Sequence, residues 1–348
     1  MKVVTQSSTA DLSTVNGESI SEYTQFSSRY DSETATIWCW MHPEPRPCIN
    51  DRLIDELMLL QQQLTRTYKN EYSARPFNHL VLASKTPGIY NLGGDLELIR
   101  QYIVNKEIDK LRDYAYRAID LVHNNINNLD LPITMMSLVQ GQALGAGFEA
   151  ALSCDVIIAE RHSQLGFPEI LFNMFPGMGA YNLLARRTGS ALAERLILSG
   201  KIYSAGELYD MGVIDVLVED GEGEEATEKY LKSYILSSNT RRSIRKVRQI
   251  VHPITRQSLY EIVNIWLETA MDLGDKDLAK MERLLYLQKS FKDSKTIKEN
   301  DISLTQRRSD WRKISNVDFP LTTHLGERIV EDRRKNNERR KLSLQEYN

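Results

Sequence analysis

Two glycine-rich turns constrain this chain more than any other feature. The first is Asn91-Leu92-Gly93-Gly94-Asp95, after an apolar run over 79–83 that is bounded by Pro76 and Pro87. The second carries Gly141, Gly145 and Gly147, after a run over 134–139 preceded by Pro132. Each turn leads into a helical pattern: a long one over about 96–123, and an apolar one with Phe148, Ala151 and Leu152. Strand, glycine turn and helix in repeated order read as an α/β layered core. A strand-like run over 36–40 and a helical stripe (Leu53, Ile54, Leu57, Leu60, Leu64) precede it. Strands over 155–159 and 164–167 follow it, then helices over 179–187, 191–198 and 205–211, and a last strand over 214–218.

The flanks differ from this core. Residues 1–30 are rich in Ser and Thr without apolar periodicity and read as a mobile arm. The core is expected over 31–222. A region over 223–295, helical throughout, is expected to form a separate layer covering the core or a neighbouring subunit. Residues 296–348 hold Arg307-Arg308, Arg333-Arg334-Lys335 and Arg339-Arg340-Lys341 among acidic residues, a charged tail or small appended module.

Composition narrows the class. With 41% hydrophobic and 26% charged residues, the 348-residue chain can bury a core. A net charge of -3 gives no excess pointing to nucleic acid. No apolar run approaches the ~18 residues that span a bilayer. The start has Lys2 but no apolar stretch of a secretory signal. Cys39, Cys48 and Cys154 form no paired framework. A cytoplasmic protein with reduced thiols is the expectation.

The turns also suggest chemistry. A strand-to-helix turn exposes backbone N–H groups beside the positive end of a helix. Two such donors converging on one point stabilise an oxyanion. Taken alone, Gly-Gly-Asp is equally the mark of an ordinary strand-to-helix turn. The glutamates add to it. Glu149 sits among Phe148, Ala150, Ala151 and Leu152, and Glu169 within Gly166-Phe167-Pro168-Glu169-Ile170-Leu171-Phe172. A carboxylate in so apolar a segment is costly unless paired or used. Two of them facing one cavity raise at least one pKa through desolvation and repulsion, which suits acid–base work near neutrality. For either alone, a helix-terminal charge or a surface residue is the competing reading. His123 and His162 read as structural or exposed, and no metal-ligand spacing is visible among the six histidines.

The segment Gly141-Gln142-Ala143-Leu144-Gly145-Ala146-Gly147-Phe148-Glu149 resembles the signature of the crotonase (enoyl-CoA hydratase/isomerase) superfamily. Its second block is matched by residues 164–170 and by Phe175-Pro176-Gly177-Met178-Gly179. The resemblance covers roughly residues 75–290. Within the superfamily, residues 77–95, 148–154, 175–181 and Met281-Glu282-Arg283-Leu284 are most similar to the diffusible signal factor synthases.

The resemblance implies an α/β, crotonase-like spiral of repeated ββα units with a C-terminal helical layer, usually trimeric. It places oxyanion donors at the backbone N–H groups of Leu92, Gly93 and Ala146, and an acid–base pair at Glu149 and Glu169. It lines an acyl pocket with residues such as Trp266 and Leu284, to which the apolar Met174 and Met178 are added. No cofactor and no metal are implied. The implied activity is dehydration of a 3-hydroxyacyl group on acyl carrier protein, then thioester hydrolysis, releasing a cis-2-unsaturated fatty acid signal. Alternatives are an enoyl-CoA hydratase or isomerase of fatty acid metabolism acting on acyl-CoA, or an acyl-binding regulatory partner of a cognate sensor kinase. The basic cluster with Arg241, Arg242 and Arg245 is a candidate contact for an acidic carrier, or else a solvated helix face. Nucleic acid and a membrane span are not expected.

Overall fold

The runs over 36–41, 79–84 and 134–139 are apolar without alternation because parallel strands of this kind are covered on both faces. The computed structural model describes residues 23–70, 76–235, 237–293, 321–322 and 328–329. Strand β1 (Phe26–Asp31) folds back on β2 (Thr36–Met41), and α1 (Asp51–Asn70) follows. The first full unit is β3 (His79–Ser84), β4 (Ile89–Asn91), then α2 (Leu96–Val104) and α3 (Ile108–Ile126). The second is β5 (Thr134–Val139), β6 (Gln142–Leu144) and α4 (Ala146–Leu152). The third is β7 (Val156–Glu160), β8 (Gln164–Gly166), a 3-10 turn (Glu169–Phe172) and α5 (Ala180–Thr188). Then come α6 (Ser190–Ser199), β9 (Ile202–Ser204), α7 (Ala205–Asp210) and β10 (Val216–Val218). Four helices close the unit: α8 (Gly223–Ile235), α9 (Ser238–Val251), α10 (Arg256–Met271) and α11 (Asp275–Asp293).

Long and short strands sort into two sheets. The larger runs β1-β2-β3-β5-β7-β10, with β1 antiparallel at its edge and the other pairings parallel. The smaller runs β4-β6-β8-β9, parallel except for the last pair. Each repeat therefore gives its first strand to one sheet and its second to the other. Because β4, β6 and β8 are parallel neighbours, the segments that leave their carboxyl ends lie side by side. Open parallel sheets bind ligands at such ends.

One face of the larger sheet, with Trp38, Trp40, Val81, Met136 and Ile158, packs against Leu231 and Tyr234 of α8. On the other face, Ser137 Oγ donates to Ala151 O of α4 at 3.3 Å. Buried polar side chains join the helices outside it. Gln61 Nε2 of α1 donates to Asn125 Oδ1 of α3 at 2.9 Å, and Asn125 Nδ2 donates to Ser153 Oγ at 3.0 Å. Helix α10 lies on α3, with the rings of Tyr116 and Tyr260 stacked at 4.3 Å. Among the described residues no helix is long and apolar enough to cross a membrane.

Three expectations are corrected. The arm over 1–30 is too long at its C-terminal end, because Phe26 is buried and opens β1, which pairs with β2 from Phe26↔Met41 onward. Residues 1–22 lie outside the described residues. The single helix over 96–123 is two helices. Lys106 turns left-handed (φ 57°), and Asn105 N–H closes α2 on Gln101 O. Buried Ile103 and Leu111 flank the break, so the apolar stripe hides it. The helical region over 223–295 is likewise four helices: α8 ends at Ile235, α9 at Val251 and α10 at Met271. Residues 298–348 form a separate unit, in which the described strands Leu321–Thr322 and Arg328–Ile329 pair antiparallel. The rest of the expected tail lies outside the described residues.

Candidate active site

A cavity opens where the segments after β4, β6 and β8 meet. Both glutamates line it. So do Gly93, Gly94, Gly145 and Ala146 from the two glycine turns, and all four apolar residues singled out above: Met174, Met178, Trp266 and Leu284. Helices α10 and α11 supply Val263, Trp266, Met281 and Leu284, so the C-terminal helices do wall this cavity.

The carboxylates differ in their partners. Glu149, on the inner face of α4, is 1% exposed. Its Oε1 accepts from Met178 N–H at 2.7 Å and from Ala180 N–H at 2.9 Å. Burial pushes its pKa up to about 7, against the pull of those two backbone donors. Glu169 opens the 3-10 turn after β8. The residue is partly exposed, yet its Oε2 is shielded from solvent and, among the described residues, has no hydrogen-bond partner. Burial, and then the charge of Glu149, push its pKa up to about 8. Backbone donors favour the ionised form and a bare buried oxygen the neutral one. Both carboxyls are thus held well above the ordinary carboxylate range, and the two backbone donors favour ionisation at Glu149 over Glu169.

The turns approach each other closely. A Cβ on Gly93 (φ 94°) would stand 2.8 Å from Leu144 O and 3.4 Å from Ala146 N. The expected donors need correction here. Leu92 N–H donates to Pro47 O at 2.8 Å, and Gly93 N–H to Asn91 Oδ1 at 2.9 Å, so both are already engaged. Among the described residues, Gly94 N–H and Ala146 N–H donate to no acceptor of the turns or helix starts. The amide available at the first turn is thus Gly94's, beside Ala146's at the second. The backbone donors at Met178 and Ala180 were missed as well, since no side chain marks them.

The basic cluster is also corrected. Arg241 stacks over Tyr234 and donates from Nε to Ser237 Oγ at 2.8 Å. Arg245 donates to Ile133 O and faces Asp155 at 3.6 Å. Arg245 is thereby tied to its neighbours, whereas Arg241 stays exposed. Arg242 is partly exposed. Of the two histidines, His162 pairs with Asp220 at the surface, and His123 contacts Asn127. Neither lines the cavity.

The family model described as enoyl-CoA hydratase/isomerase matches residues 40–295. The mitochondrial methylglutaconyl-CoA hydratase of Rattus norvegicus is 31% identical over 173 residues, 49% of this chain and 53% of that protein. The chain thus spans about half the length of the curated relatives it matches. Among solved structures, human mitochondrial delta3-delta2-enoyl-CoA isomerase superposes with a TM-score of 0.61 at 15% identity, over 77% of this chain and 99% of that one. Pseudomonas aeruginosa DspI superposes with a TM-score of 0.55 at 19% identity, over 74% and 99%. At these identities the structures establish the fold alone.

Proposed function

The chain belongs to the enoyl-CoA hydratase/isomerase family, and from that premise we propose that it adds water to, or removes it from, C2–C3 of a fatty acyl thioester. The observation that carries this reading is the unlike environment of Glu149 and Glu169 in one cavity. In the hydration direction, Glu149 as carboxylate takes a proton from water while the water oxygen bonds to C3. The electron pair of the double bond moves towards the thioester oxygen, which the Gly94 and Ala146 N–H groups receive. Glu169 then gives its proton to C2 as the carbonyl reforms. Dehydration runs the same steps backwards. Each proton transfer by a positioned group is worth about 10²–10⁴ in rate. Met174, Met178, Trp266 and Leu284 form the wall for the acyl chain.

Purified protein is tested with enoyl-CoA substrates of graded length, beside E149Q and E169Q. The expected result is hydration by the wild type and a loss of about 10²–10⁴ in kcat for each variant. Turnover that survives both substitutions rejects the acid–base pair.

A second reading goes further: dehydration of 3-hydroxyacyl-acyl carrier protein, then hydrolysis of the thioester to a free cis-2-unsaturated acid signal. What favours it is the unpartnered Oε2 of Glu169, an acceptor left over to hold a water beside the thioester carbon. Release of free acid from the carrier-bound substrate, followed by mass spectrometry, separates it from simple hydration. The partly exposed Arg242 remains for carrier contact. The exposed row Ile244, Val247 and Val251 on α9 favours a homo-oligomer that covers it. Three free, buried cysteines favour a reducing compartment such as the cytoplasm.

A further inference from the structure

Helix α11 does more than wall the cavity. Gln288, 5% exposed, donates from Nε2 to Leu92 O at 3.0 Å and to Gly94 O at 3.2 Å. Among the described residues no other donor reaches either oxygen. The peptide between them, which carries Gly94 N–H, is fixed at its other end by Ile49 N–H donating to Gly93 O at 2.7 Å. Gln288 therefore sets the two peptide planes on either side of the Gly94 amide. It lies on the same helical face as Met281 and Leu284, seven and four residues back, which line the cavity.

The price of this arrangement is visible. Among the described residues Gln288 Oε1 is buried without a partner. An unsatisfied buried acceptor is unfavourable, and an apolar side chain of similar length would avoid it. The amide is explained by what Nε2 does, not by packing.

We infer that Gln288 is a positioning residue: it aims the Gly94 amide at the developing oxyanion, so the helix that walls the acyl cavity also sets the donor. The inference rests on the proposed thioester chemistry. Its coupling has a consequence: a substrate that presses on Met281 and Leu284 also bears on the donor turn.

The test compares wild type, Q288M and Q288E in the full chain, by steady-state kinetics on an enoyl-CoA and by amide hydrogen exchange of the peptide covering 89–99 without substrate. Q288M keeps the length and loses the donor. It is expected to speed exchange over 89–99 and to lower kcat about 10- to 100-fold with KM within about threefold. Q288E can donate only when protonated, and burial beside two carbonyl oxygens raises its pKa. Its kcat relative to wild type should rise as pH falls, which Q288M should not reproduce. Unchanged exchange over 89–99, or wild-type kcat in Q288M, overturns the inference. Should Q288M fail to fold, a Q288E-to-wild-type ratio independent of pH overturns it alone. A wild type inactive on every thioester, with exchange still faster in Q288M, sinks the proposed reaction and leaves the clamp standing.

Discussion

The carboxylate of Glu169 rests on the backbone of Gly145: a Cβ at position 145 would stand 2.3 Å from Oε1. Gly145 also holds φ 51° and ψ -125°, a conformation closed to other residues. The residue that follows β6 thus gives the Glu169 carboxylate its room and turns the chain into α4 at Ala146. Gly145→Ala is expected to displace Glu169 and strain the turn together, lowering kcat by about 10² or more. The strain should destabilise the fold by about 1–3 kcal/mol. Kinetics beside a denaturant titration check both, and wild-type turnover in this variant would contradict the geometry.

The proton count of the pair sets a pH dependence. The proposed hydration needs Glu149 ionised and Glu169 protonated. Glu149 gains its proton as pH falls through about 7, and Glu169 loses its own as pH rises through about 8. The rate of hydration should therefore be bell-shaped, with its maximum between these values, the two limbs belonging to the coupled pair. A pH–rate profile of kcat/KM with a limb near pH 4.5, where an unperturbed carboxylate titrates, would rule out the buried pair as acid and base.

Much of this site could be read from residue order, for physical reasons that also mark the limit. Glu149 and Glu169 stood out because a carboxylate in an apolar segment demands an explanation. Met174, Met178, Trp266 and Leu284 do share one cavity. The three-residue strands β4, β6 and β9 were hidden, being too short to show a period of two, and with them the second sheet that aligns the turns. Leu92 and Gly93 were chosen as donors over Gly94 because backbone hydrogen bonding is invisible in side-chain identity. Only the contacts to Pro47 and Asn91 reveal which amide is left. Arg241 and Arg245 looked free because long cations are usually solvated; here one stacks on tyrosines and the other reaches Ile133 O.

The same burial that tunes the pair makes it a liability to folding at high pH. Both folded pKa values lie above the ordinary carboxylate value of 4.5. The unfolded chain therefore binds fewer protons between pH 4.5 and about 8, and stability falls as pH rises through that window. Glu169→Gln removes the ionisable group with the less satisfied carboxylate. It should stabilise the protein by about 1–3 kcal/mol above pH 9, with the advantage vanishing near pH 4. Melting curves of both proteins across this range decide it. A variant less stable than wild type at alkaline pH would show that Glu169 is not buried as a costly charge.

Leu284 offers the most direct test of where the acyl chain lies. It is 6% exposed on α11 and faces the cavity alongside Trp266, whose indole lies against Gly177. If the chain runs along this wall, Leu284→Trp shortens the space available to it. Each methylene that can no longer be buried forfeits about 0.8 kcal/mol, roughly fourfold in kcat/KM. Short enoyl thioesters should turn over at near wild-type rates, and the deficit should deepen about fourfold for each carbon beyond the obstruction. Leu284→Ala should shift the preference towards longer chains. Rates for a series of chain lengths read out the position of the block. Equal losses at all lengths would mean that Leu284 supports the fold of α11 and that the acyl chain lies elsewhere.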